Sequence, residues 1–129
     1  MKKDVTHTVL FDTLLSGEIG DMYYDLHNDF KCIRITYSLM AKKLELRFTN
    51  DDDRIVITFV DARLGSCSIN PTQPGSILTL FYRSHFEMNN NHHEMTSKGE
   101  YYYQLEFLEE AKLEVFARQV VMDMTPLNS

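Results

Sequence analysis

The sequence predicts a mainly β protein: an antiparallel meander of about seven strands folded as a sandwich or partly open barrel, with one short N-terminal helix. Three observations carry this expectation. Leu44, Leu46 and Phe48 alternate with Lys43, Glu45, Arg47 and Thr49, and a period of two sets apolar side chains on one face of a strand and charges on the other. Ile55-Val56-Ile57-Thr58-Phe59-Val60 is apolar on nearly both faces, which suits a strand in the middle of a sheet. Segments of strand character then recur along the chain, separated by clusters of Asn, Asp, Ser, Gly and Pro, the punctuation of sequential hairpins.

Taken in order, Thr6 or Thr8 suits the cap of a short helix running to Leu15, with Gly17 as its stop. Val9, Leu10, Phe11, Leu14 and Leu15 then make an apolar stripe at helical spacing. A strand is the rival reading there, because Val5-Thr6-His7-Thr8-Val9 also alternates. Residues 18–26 read as one strand closed by His27-Asn28-Asp29 and forming a hairpin with residues 30–38. In that second strand Ile33, Ile35 and Tyr37 share one face, and Phe30, Cys32, Arg34 and Thr36 the other. The meander continues through residues 42–49 and 54–62, with turns at 38–41 and at Asn50-Asp51-Asp52-Asp53. Three adjacent aspartates raise calcium, but a calcium loop staggers its carboxylates along a longer segment and ends on a distant Glu. A solvated hairpin turn is the simpler reading.

Residues 63–76 hold Gly65, Ser66, Ser68, Asn70, Pro71, Pro74 and Gly75, turn formers that predict an irregular loop. Residues 77–83 return to strand character with apolar side chains on both faces, as in a buried strand. Residues 88–98 are polar and asparagine-rich and read as an exposed loop. Residues 99–108 and 112–123 form a long hairpin about Glu109-Glu110-Ala111. Its return strand changes phase towards Val120 and Met122, as a bulge would make it do. Pro126 is expected to end pairing, with residues 124–129 as a tail.

A chain of 129 residues suits one domain around one core. At 43% hydrophobic and 25% charged it has the composition of a globular protein and not of a disordered one. No apolar run approaches the ~20 residues of a membrane helix, and Asp12 and Glu18 interrupt the apolar segment that follows Lys2 and Lys3, so neither a membrane nor an export signal is expected. Cys32 and Cys67 then fit free thiols in a reducing cytoplasm better than a disulfide. The net charge is −6 and unevenly placed. Residues 1–29 and residues 99–129 each sum to −4, and the middle of the chain to +2. A phosphate-binding surface needs clustered Lys and Arg, so nucleic acid is not expected. A basic protein partner is permitted, and solubility alone is the other use of such a charge.

Chemistry has little to stand on. His85, His92, His93 and Glu94 are the densest polar group, but adjacent histidines diverge, and there is no His-x-x-x-His and no Cys-x-x-Cys pair. No metal or cofactor is expected. Cys67 lies in no nucleophile motif, there is no Gly-x-Ser-x-Gly elbow or phosphate loop, and Glu100 and Glu106 read as wet surface. No catalytic residue is assigned, and the chain reads as a non-enzyme. The seven tyrosines are more telling, clustering as Tyr23-Tyr24 and Tyr101-Tyr102-Tyr103. Consecutive tyrosines on a strand place a ring on each face, which sets an aromatic beside Asp21, Glu100 and Glu106. Tyr among acids is the composition of a surface for a basic protein, although Tyr also fills sheets through its β-propensity. The candidate partner-binding residues are Asp21, Tyr24, Asp25, Tyr102, Glu106, Glu109 and Glu110. A second reading is a small-ligand carrier with a cavity between the sheet and the segments 63–76 and 88–98. The third is a metal-dependent enzyme using His85, His92 and His93.

The series Phe30-Lys31-Cys32-Ile33-Arg34-Ile35-Thr36-Tyr37, Lys43-Leu44-Glu45-Leu46-Arg47-Phe48 and Ile55-Val56-Ile57-Thr58-Phe59-Val60-Asp61 resembles small bacterial all-β proteins. The ending Tyr102-Tyr103-Gln104-Leu105-Glu106-Phe107, followed by Leu113-Glu114-Val115-Phe116-Ala117, fits the same pattern. Some of those proteins are immunity proteins that neutralise toxins of polymorphic or contact-dependent growth-inhibition systems. The resemblance covers residues 18–122 and is one of strand rhythm, so no functional residue is carried across it. It implies a cytoplasmic single-domain protein that blocks a cognate toxin by binding.

Overall fold

The alternating segments build two antiparallel sheets stacked face to face. The computed structural model describes residues 1–68 and 77–127, and of Glu109 the backbone alone. The first sheet has the order β1 (Lys2–Asp4), β13 (Gln119–Pro126), β6 (Asp53–Val60), β5 (Lys43–Thr49), β4 (Lys31–Ser38). The second has the order β7 (Arg63–Ser68), β12 (Lys112–Ala117), β11 (Tyr101–Phe107), β8 (Leu78–Ser84). Two small hairpins attach to them: β2 (Ser16–Ile19) with β3 (Met22–Asp25), and β9 (Phe86–Met88) with β10 (Asn91–His93).

The core is the sum of the inward-facing positions. Leu44, Leu46 and Phe48 of β5 and Ile55, Ile57 and Phe59 of β6 are buried against Phe81, Tyr103, Leu105, Leu113 and Val115 of the opposite sheet. Phe59 bridges the two layers, its ring centroid 6.0 Å from that of Phe81 and 5.6 Å from that of Tyr103. Each such side chain contributes about 1.5–3 kcal/mol by leaving water. The meander of β4, β5 and β6 and the hairpin of β11 and β12 form as the alternation predicts, and the apolar β6 is central.

Where the structure departs from the sequence reading, long-range pairing is the reason. No helix forms in residues 6–15. Instead Phe11 N–H donates to Arg83 O at 2.9 Å and Leu14 N–H to Phe81 O at 2.7 Å, and Thr13 bridges Tyr82. The segment spends its donors on the edge of β8, where an open edge would otherwise be a hazard, and those donors are lost to a helix. Strand β8 is thus an edge strand covered by this segment, not an interior one. Residues 18–26 are not one strand. They fold back at Gly20, whose φ of 61° favours glycine, and β3 pairs with β2 rather than with β4. A register shift between Cys32 and Arg34 makes Ile33 an extra, exposed residue and turns Cys32 inward with Ile35 and Tyr37.

The asparagine-rich stretch is partly ordered as the β9–β10 hairpin, with Asn89 and Asn90 at φ 54° and 63°. That left-handed pair is what a two-residue hairpin turn demands. The phase change after Ala117 is not a bulge: at Arg118 the chain leaves the second sheet and enters the first. Pairing then runs through Pro126, opposite Asp53, so residues 124–126 are strand and not tail. Of the loop expected at 63–76, residues 63–68 form β7 and the rest lie outside the described residues. Cys32 and Cys67 are both free. Among the described residues no helix is long and apolar enough to cross a membrane.

Candidate protein-binding site

The β2–β3 hairpin and the turn between β5 and β6 meet at one end of the sandwich. Strand alternation sends Tyr24 inward and Tyr23 outward. Tyr24 is 2% exposed and donates its hydroxyl to Leu14 O at 3.3 Å, whereas Tyr23 is 61% and Met22 43% exposed. Burial, helped by Tyr23, pushes the Tyr24 hydroxyl up to about 12, so it stays a neutral donor. Its cross-strand partner is Gly17, where a Cβ would stand 3.3 Å from the Tyr24 oxygen. This close approach accounts for the glycine.

The acidic turn is built by Asn50, whose Oδ1 accepts the N–H groups of Asp52 and Asp53 at 2.9 and 2.7 Å. Side-chain capture of the local backbone is why Asn opens such turns. It leaves the Asp51 and Asp52 carboxylates exposed. Between hairpin and turn lies a cleft of about 410 Å³ lined by Tyr23, Met22, Asp29, Asp51, Asp52 and Asp53, among others. A neighbouring cleft of about 400 Å³ shares Asp29, Phe30, Asn50 and Asp51 and reaches Lys31 and Ile77. Together they form a groove with carboxylate walls and an apolar lip. Such a groove accommodates Arg or Lys, the stem lying on Tyr23 and Met22 and the charge against the aspartates.

Among the described residues, none of those singled out from sequence lines either cleft, and their exposure is unequal. Asp21 is exposed at the tip of β2–β3. Asp25 is half-buried and turned to its own backbone, accepting from His27 and Asn28 N–H, both at 3.1 Å, and from Asn28 Nδ2 at 2.8 Å. The Asn28 amide foremost, with those N–H groups, outweighs burial and holds the Asp25 carboxyl below its usual range. Glu106 pairs with Lys112 at 3.8 Å, and Glu110 is exposed at φ 65°. The side chain of Glu109 lies outside the described residues. Leu108 N–H, donating to Ile77 O at 2.9 Å, ties the β11–β12 turn to the groove wall.

Two of the tyrosine assignments are corrected. Tyr24 is core, and Tyr23 is the exposed ring. Tyr102 is on the outer face of β11, as alternation requires, but only 6% exposed, because the β9–β10 hairpin folds over it. Phe116 stacks on it with centroids 5.0 Å apart, Phe86 meets it edge-on at 6.4 Å, and its hydroxyl donates to Glu114. Burial first and the Glu114 carboxylate second push that hydroxyl up to about 12. Sequence reading missed Tyr23, Asp29 and the aspartate turn as parts of one surface. The alternation of Tyr23 with Tyr24 was the available signal, but it does not say which ring points out.

The histidines divide. His85 and His92 approach to 4.3 Å between ring centroids, while His93 stacks on Phe86 at 5.5 Å, as consecutive strand residues must part. Among the described residues no group of three or more His, Cys, Asp or Glu is placed to hold a metal ion. The architecture is that of an antiparallel β-sandwich. No family model matches the chain, and no curated protein or solved structure matches it either.

Proposed function

We propose that the chain is a non-enzymatic binding protein that seats a basic protein partner on the acidic groove. One observation supports this above the rest: exposed Tyr23 and Met22 border a cleft walled by Asp29, Asp51, Asp52 and Asp53. An aromatic and a flexible thioether among carboxylates complement an Arg- or Lys-rich patch in both shape and charge. The strand pattern's resemblance to bacterial immunity proteins supplies the kind of partner. It is a toxin domain, neutralised in the cytoplasm by occlusion, with no cofactor and no chemistry of the chain's own.

The test is kinetic. A partner captured on the chain and identified by mass spectrometry is titrated against Asp51→Lys with Asp52→Lys, and against Tyr23→Ala. Charge reversal is expected to slow association by about tenfold, and added salt to slow association of the parent chain. Loss of the Tyr23 ring is expected to speed dissociation. If both variants bind as the parent does, the groove is not the interface.

A further inference from the structure

The opposite end of the sandwich gathers four cationic side chains around one cleft. Here β6 ends, β5 and β11 begin and the chain changes sheets, and between these strand ends lies a cleft of about 390 Å³ lined by Lys42, Arg63, Lys98 and Arg118 together with Tyr37 and Leu39. Two carboxylates share the lining, Glu100 and Asp61. Glu100 is already engaged: it is 6% exposed and takes Arg63 Nε on both oxygens, at 3.0 and 3.2 Å, and Thr96 Oγ1 at 3.1 Å. Arg63 is held on its other side by the Phe116 ring, 4.2 Å away. Lys42, Lys98 and Arg118 are exposed, and among the described residues their side chains make no ion pair. With Glu100 neutralised by Arg63, three cations face one remaining carboxylate, in a chain whose net charge is −6. Like charges brought together without partners raise the energy of the free protein, and an anion relieves it.

The frame of this cleft is fixed by backbone. Ala62 N–H donates to Lys42 O at 2.7 Å, Arg118 N–H to Val60 O at 3.0 Å, and the Tyr37 hydroxyl to Ala62 O at 3.1 Å. Tyr37 and the 77% exposed Leu39 add an apolar wall beside the charges. A pre-formed recess within the ~300–1,000 Å³ range, part apolar with a few convergent charges, is the form of a small-molecule site.

We propose that this cleft binds a small organic anion, a carboxylate or phosphate carried on an apolar body. The charged head lies among Lys42, Lys98 and Arg118, and the body runs along Tyr37 and Leu39. The site is separate from the acidic groove and does not depend on its function.

The experiment is an NMR titration of the full chain with phenyl phosphate, a dianion on an aromatic ring. Saturable shifts centred on the amides of Tyr37, Ala62 and Arg118 are expected, with none from phenol. Binding is expected to weaken about tenfold in the Lys42→Gln, Arg118→Gln double variant and severalfold in Lys98→Gln. The three side chains are exposed, so the variants keep the fold, which an unchanged thermal midpoint verifies. Absence of saturable shifts, equal binding of phenol, or undiminished binding by the double variant overturns the proposal. So does displacement of phenyl phosphate by a hexaglutamate peptide at lower concentration, which would assign the cleft to an acidic chain.

Discussion

At the scale of single residues, the same side chain takes different properties from its neighbours. The register shift in β4 buries Cys32, and burial pushes its thiol up to about 11, only partly offset by hydrogen bonding with the Arg34 backbone. Cys67 is exposed on β7. A thiol reagent is therefore expected to label Cys67 alone in the folded protein and both cysteines in denaturant; native labelling of two thiols would contradict the burial of Cys32. Asp25 makes a second case. Asp25→Ala removes its three hydrogen bonds and is expected to cost about 1 kcal/mol at neutral pH. The folded carboxyl lies below its unfolded value. Its ionised form thus contributes fully above the unfolded value near ~4, and the contribution fades as pH falls through the folded one. Urea unfolding is expected to separate variant from parent at neutral pH and to bring them together in strong acid.

At the scale of elements, local alternation and remote pairing gave different degrees of legibility. Strands β5, β6, β11 and β12 were readable because each carries its period of two within itself and turns back on a neighbour in sequence. Strand β4 was readable as a strand but not in its faces, because the register shift at Ile33 breaks its period. The stripe from Val9 to Leu15 was misread as a helix because its partner, the β8 edge at Phe81 and Arg83, is remote in the chain. The sheet change at Arg118 was visible only as a change of phase, which a bulge explains equally well from sequence alone. The covering role of residues 11–14 can be tested through Leu14, which is buried in the core. Leu14→Ala is expected to cost about 2–5 kcal/mol and to raise light scattering near the unfolding midpoint as the β8 edge comes free. A loss below about 1 kcal/mol would mean that the segment is not anchored there.

Across the whole molecule, charge is polarised along the strands, with aspartates around Asn50 and cations around Ala62. Composition showed the acidic excess and its uneven placement in the chain. It did not show that Tyr23, Asp29 and Asp51 share a groove, because three separate turns bring them together. Crowded carboxylates repel one another, and folded proteins tolerate such cost where function uses it. Asp51→Asn combined with Asp52→Asn is expected to raise stability by about 0.5 kcal/mol at low salt, an advantage that shrinks as salt screens the repulsion. Equal stability of variant and parent at low salt would show the turn to be electrostatically relaxed.

The place of β13 has a consequence for how the fold is reached. It lies between β1 and β6, with Lys2 opposite Asp123 and Phe59 opposite Val120. Strand β1 therefore waits for β13, and the five-stranded sheet closes only after β13 has left the ribosome. Until then one side of β6 is bare and β1 has no neighbour in the sheet. Such sequence-distant closure places folding in the millisecond-to-second range rather than the microsecond range of local folds. A nascent chain halted before Gln119 presents a long apolar ledge, the species a chaperone would have to hold.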